Sequence, residues 1–325
     1  MKFGNQVRPF LQGLFVLAVV FGLYRVLRIG VDGIEKANFD GVVFTGSAFW
    51  ESATAGWKFY VLLVITGLVA WRWWGSRTWK DLTGETGMHI VIWAVVGILV
   101  WSSALYPYNY YHGQAHLFDR VLIIAAGVLA CRFPALLPVF TFLVYASFSQ
   151  WQIALGDPEI TNRKPFLDLL LVTTALLLLR GWKWATPSLA AIALLSVNLI
   201  HYWIPGLAKF RAGNTSWEWM IEDHPSNMMI ASYFIGWNRL WDEEQMTALY
   251  QFLLPLEWPL KVFVLIVELV LIVSLAHRRL FFWLTAGRLL MHVGIWILSG
   301  DTFWNWIALQ AAILIAFWRP AEGQK

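Results

Sequence analysis

The chain has 325 residues and a formal net charge of +4; 59% of its residues are hydrophobic and only 14% are charged, against roughly 25% charged in soluble domains. The apolar residues come in runs too numerous for one core to shelter, so the composition fits a lipid solvent. This excludes an ordinary soluble enzyme, a disordered chain and a disulfide-stapled secreted domain. The lone Cys131 can form no internal disulfide and does not report the redox compartment. The basic excess is divided among loops rather than gathered into a nucleic-acid footprint, so no nucleic-acid partner is expected.

A spanning helix needs about 20 mostly apolar residues. Ten stretches qualify in chain order: 9–28, 57–74, 88–106, 117–133, 135–151, 166–180, 186–207, 258–276, 279–299 and 302–318. The fourth to sixth are short, and Pro134 and Pro138 sit at the fourth-to-fifth corner, so the count is nine or ten. The expected fold is an all-α polytopic bundle forming one transmembrane domain over 1–325. The first stretch reads as a retained span, because it has no clear small-x-small cleavage site and Arg25 and Arg28 flank its far end. The 22 Trp and 10 Tyr supply material for interfacial aromatic belts.

Cationic residues alternate with the loops. One side receives Lys2 and Arg8, then Arg72, Arg77 and Lys80, then Arg132, Arg180 and Lys183, Arg278 and Arg279, and Arg319. The other side is acidic or neutral, except for Arg163 and Lys164, and for Arg25 and Arg28. The positive-inside rule then puts both termini in the cytoplasm. Two outer segments, 31–56 and 210–257, are too long for helix–helix turns. In the second, Asp242 and Gln245 have capping-box spacing and predict a helix through about Leu253. Met228, Met229, Ile230, Tyr233, Phe234 and Trp237 add an apolar stripe, so both segments are read as lying along the outer interface.

Ionisable groups inside spans are costly and normally paired. Glu268 (IVELVLIV) and Arg288 (LTAGRLLMH) each lie ten residues from Arg278. In an antiparallel pair they share a depth, which predicts a buried Glu268–Arg288 ion pair that sets helix register. On the outer side the topology gathers His112 in YNYYHGQAHLF, Lys209 at the end of HYWIPGLAKF, and His292. His292 lies four residues beyond Arg288, roughly 20 Å from the basic turn. Each has a plainer reading: a snorkelling lysine, a solvated loop histidine, a histidine satisfied by a neighbour. His112 and His116 are spaced i, i+4, which suits a metal if the segment is helical, but no third ligand is near. His116 and His201 remain candidates for contacting a cofactor. A bis-histidine haem held by His201 and His292 is conceivable without any attachment motif to support it. A transporter would need repeat symmetry or paired broken helices, and only Pro205–Gly206 supplies a break.

HYWIPGLAKFRAGNTSWEW resembles the segment of vitamin K-dependent γ-glutamyl carboxylases that ends in a lysine followed by a Trp. ELVLIVSLAHRRLFFWLTAGRLLMHVGIW resembles the family's intramembrane Glu, basic turn and later His, and YNYYHGQAHLF resembles the region of its Asn-His pair. The bacterial members are horizontally transferred transmembrane (HTTM) proteins, and the resemblance covers about residues 9–318. It implies a bacterial inner-membrane protein of the kind that lacks the animal enzymes' C-terminal soluble domain. It implies a reduced quinone, vitamin K hydroquinone-like, as cofactor, with Lys209 as the base toward it and His292 and His112 as further catalytic residues. Tyr111 stands where the family has Asn. The implied substrate is an exported peptide or protein at the outer face. The competing class is a non-catalytic membrane subunit that binds a partner protein, a lipid or a redox complex.

Overall fold

A computed structural model describes 78–84, 87–105, 115–144, 158–181, 186–211, 218–221, 224–238, 240–270, 277–301 and 303–318, together with the helical residues 64 and 68. The spans expected at 9–28 and 57–74, the outer segment 31–56 and His112 fall outside these residues, apart from 64 and 68. Among the described residues every regular element is helical and no strand occurs. They form two compact units, one of residues up to Val197 and one of Asn198–Trp318.

In the first unit, α1 (Trp79–Thr83) and α2 (Met88–Leu105) precede α3 (Ala115–Arg132). A helical stretch, Pro134–Val144, opens in a 3-10 turn at Pro134–Leu136. Then come α4 (Pro158–Gly181) and α5 (Pro187–Ala208), the last of which crosses the unit boundary. α2 packs against α3 and α4. Helix ends leave orphan carbonyls that need donors. Side chains supply them here. The Trp79 indole N–H donates to the carbonyls of Ala130 at 3.1 Å and Cys131 at 2.8 Å, and Arg120 donates to Ala104 O at 2.9 Å. Thr141 and Thr174, both buried, share a hydroxyl hydrogen bond of 2.8 Å, a polar link of the kind that joins helices in apolar surroundings.

The second unit holds the end of α5, then α6 (Glu218–Ile221), α7 (Pro225–Phe234), α8 (Glu243–Leu253), a 3-10 turn Leu254–Leu256, α9 (Glu257–Leu269), α10 (Arg278–Ser299) and α11 (Trp304–Trp318). The expected capping box is present. Asp242 Oδ1 accepts from the Gln245 amide at 2.8 Å, and Gln245 Oε1 accepts from the Asp242 amide at 3.2 Å. α8 starts and stops where the sequence predicts. The expected stripe divides: Met229 is fully buried with Met246 and Leu253, whereas Phe234 is 80% exposed and Trp237 63%. α10 packs along α11 and against α7 and α9. Gly300 ends α10 with φ +72°, and a Cβ there would stand 2.5 Å from Trp237 O, so only glycine fits. α9 and α10 approach closely because Gly287 lacks a Cβ, which would lie 2.8 Å from Val267 Cγ1. Ala190–Ala208 and Arg279–Ser299 are long and apolar enough to cross a membrane; Met88–Ala104, Pro134–Val144, Pro165–Leu177 and Trp304–Trp318 are shorter apolar helices.

Candidate functional site

The second unit contains a cavity of about 730 Å³ walled by the end of α5 and by α6, α7, α9 and α10. Most of the wall is apolar, from side chains such as Phe263, Val264, Met291 and Ile295. The polar exceptions are Lys209, Glu268, Lys261, His224 and Asn227. Its volume and its few convergent polar groups match those of a small-molecule site.

Lys209 follows the last turn of α5, where its amide still bonds to Pro205 O at 3.1 Å. Its Nζ donates to both oxygens of Glu268, at 2.7 and 2.6 Å, and lies 5.3 Å from the centre of the Trp219 ring. The lysine side chain is 19% exposed and the glutamate 7%. Gly206 makes the approach possible. A Cβ there would meet Leu269 Cδ2 at 2.9 Å and Glu268 Cβ at 3.0 Å.

This pair replaces the expected Glu268–Arg288 bridge. The depth argument was sound, since Gly287 does oppose Val267. The face was wrong. Successive helix positions point about 100° apart, and Arg288 bonds within its own helix rather than to Glu268. Its Nε donates to Leu284 O at 3.2 Å and its Nη2 to Thr285 Oγ1 at 2.8 Å. Its guanidinium carbon lies 5.0 Å from the Tyr202 ring centre and 5.6 Å from that of Phe281. Two aromatic faces therefore surround this fully buried cation.

His292 is one turn beyond Arg288 on the same face. Its Nε2 meets the Tyr202 hydroxyl at 2.8 Å, and its ring stacks on Trp306 at 5.8 Å. It is absent from the cavity wall, which takes the neighbouring Met291. Lys209 bonds to Glu268 in the cavity wall, whereas His292 bonds to Tyr202. His201 packs edge-on against the same Trp306 at 6.4 Å. The Nε2 of His292 is engaged by Tyr202, while its Nδ1 is buried without a hydrogen-bond partner among the described residues. His116 lies in the first turn of α3. No group of three or more metal-ligating side chains occurs among the described residues.

A second polar station sits in the first two turns of α9. Glu257 accepts from His224 Nδ1 at 2.6 Å and from Ser226 Oγ. Burial works to raise its pKa, but the hydrogen bonds from His224 and Ser226 outweigh that and hold the carboxyl below its ordinary range. Lys261, four residues on and 3% exposed, donates to Met220 O at 3.0 Å.

Sequence reading missed Lys261, His224, Glu257, Trp219 and Tyr202. For Lys261 a signal existed: it is an ionisable residue inside the stretch 258–276, and the rule that singled out Glu268 applies to it equally. The same holds for Asp168, buried in α4. Comparison with family models, with curated proteins and with solved structures gave no match for the chain.

Proposed function

We propose that the chain is a polytopic membrane enzyme of nine or ten spans, with both termini in the cytoplasm of a bacterial inner membrane. In this reading it resembles the γ-carboxylase and HTTM family, binds a reduced quinone in the second-unit cavity, and acts on an exported peptide or protein at the outer face. The observation that carries the proposal is the Lys209–Glu268 pair in the wall of an otherwise apolar cavity. Exposed apolar surface supports the membrane reading. Of the two helices long and apolar enough to span, the Arg279–Ser299 window is 33% buried and the Ala190–Ala208 window 61%. Phe252, Trp258, Trp283 and Trp318 are likewise exposed, as an interfacial or lipid setting favours.

The cavity fits a quinol. Its apolar walls suit a ring and prenyl chain, and the pair offers the hydroxyl a donor and an acceptor. The bound quinol would supply an acidic hydroxyl and, with oxygen, a base stronger than any side chain. Lys209 can serve as first base because its proton has somewhere to go. Shifting one proton from Nζ to Glu268 along the 2.6 Å bond leaves a neutral amine aimed at the cavity, with no net charge created in apolar surroundings. Trp219 shields that amine on one side.

The test is quinol consumption by protein in lipid nanodiscs, in wild type and Lys209→Arg. A guanidinium keeps the charge but cannot be deprotonated at working pH. Turnover should fall at least about a hundredfold, the least expected for loss of a general base, with folding intact. Equal turnover in the arginine variant would remove Lys209 from the chemistry and favour the non-catalytic membrane subunit.

A further inference from the structure

Lys261 is a buried cation whose bonding leaves it unfinished. It is 3% exposed, and among the described residues its hydrogen bond goes to the neutral carbonyl of Met220. An ammonium has three donors, so two remain. The nearest acid on its own helix face is Glu257, one turn back, but both oxygens of that carboxylate are taken, by His224 and by Ser226. Lys209 does not share this condition, since both oxygens of Glu268 compensate it. Yet Lys261 lines the same cavity. An ammonium taken out of water is costly unless an anion meets it, and Lys261 stands in the wall of the cavity.

We propose that the cavity binds a single-chain amphiphile whose carboxylate is anchored by Lys261, with Asn227 and His224 beside it and the hydrocarbon chain running along α9 and α10 toward Glu268. Lys261 and Glu268 are seven residues, two turns, apart on α9, about 10 Å along its axis. Leu260, Phe263, Val264, Met291 and Ile295 supply apolar wall for a chain. The volume of about 730 Å³ suits one chain rather than a two-chain phospholipid. The inference shares its cavity with the quinol reading but rests on Lys261, not on proton transfer at Lys209. A protein that captures the fatty acid and ignores quinol keeps this inference and loses the other.

The experiment is equilibrium binding of radiolabelled oleate to the full-length protein in phosphatidylcholine nanodiscs, with methyl oleate and dioleoyl phosphatidylglycerol as competitors. Oleate should bind at least about tenfold more tightly than its uncharged methyl ester, the scale of one charge-assisted hydrogen bond. Lys261→Met should weaken oleate by about the same factor while leaving methyl oleate unchanged. Lys261→Arg, which keeps the charge, should retain most of the affinity. Equal binding of oleate and methyl oleate by wild type would overturn the proposal. So would unchanged oleate affinity in Lys261→Met, or phosphatidylglycerol competing better than oleate. If Lys261→Met does not fold, the ester comparison on wild type and on Lys261→Arg decides alone.

Discussion

Breaking the Lys209–Glu268 pair gives the sharpest test of how this unit is held together. Exposed ion pairs contribute about 1 kcal/mol or less, while removing one partner of a buried pair costs about 3–5 kcal/mol. Here the glutamate side chain is 7% exposed and the lysine 19%, so the pair lies nearer the buried limit. Glu268→Gln keeps an acceptor for one of the two hydrogen bonds and leaves a partly hydrated ammonium, at a cost of about 2 kcal/mol. Lys209→Met strands a more deeply buried carboxylate and costs about 3 kcal/mol. The double variant strands neither, and its loss should not exceed about 3 kcal/mol. The coupling energy is then about 2 kcal/mol. Equilibrium unfolding in mixed micelles, followed by helical circular dichroism, measures all four corners of the cycle. Coupling below about 0.5 kcal/mol would refute the reasoning and class the pair with inert surface contacts.

The parallel cycle of Glu268→Gln with Arg288→Met should be additive within about 0.5 kcal/mol, because Arg288 contacts Thr285, Leu284 O and two rings rather than Glu268; strong coupling in the same assay would restore the bridge expected from sequence. Gly206→Ala places a methyl group 2.9 Å from Leu269 and 3.0 Å from Glu268, so it should cost about 1–3 kcal/mol by overpacking and lower quinol turnover by displacing the carboxylate. Tyr202→Phe removes the hydroxyl bonded to His292 and should cost about 1–3 kcal/mol in the unfolding assay, with quinol turnover retained if His292 stands outside the chemistry. The folded-state pKa of Glu257 lies below its ordinary value, so its contribution is fully present above the ordinary carboxylate range and is lost as pH falls through the lower folded value. Acid unfolding of Glu257→Gln should therefore be less pH-dependent in that window than that of wild type, and identical acid profiles would contradict the assignment.

Helix positions were legible because hydrophobic runs report them directly. The stretch 88–106 appears as Met88–Leu105, 186–207 as Pro187–Ala208, and 279–299 as Arg278–Ser299. The α8 start was legible from two residues, because a capping box is a local device. Pairing was not local. Depth along a helix follows from counting residues, but the face presented to a neighbour depends on which residue lets that neighbour come close. Gly287 and Gly206 decide this for Arg288 and Glu268, and single-sequence reading gives a small residue no more weight than any other. Lys209 was found by its motif and does line the cavity. His292 was found by its intramembrane depth, yet the structure spends that polarity on Tyr202.

The end of α10 has a consequence for how the cavity can breathe. Its last carbonyls are held by side chains from the α7–α8 connection: Asn238 donates to Leu298 O and Trp241 to Ile297 O, both at 2.8 Å. Gly300 locks against Trp237 behind them. Lifting the α7–α8 connection would strip these donors from the end of α10, so the α7 and α10 walls of the cavity are tied together. The opposite wall is built differently. Pro205 sits inside α5 and supplies no N–H to its hydrogen-bond ladder. The ladder is therefore one bond short in the turn that leads to Lys209, on the side of the cavity where, among the described residues, no side-chain donors tie the helix end to α7.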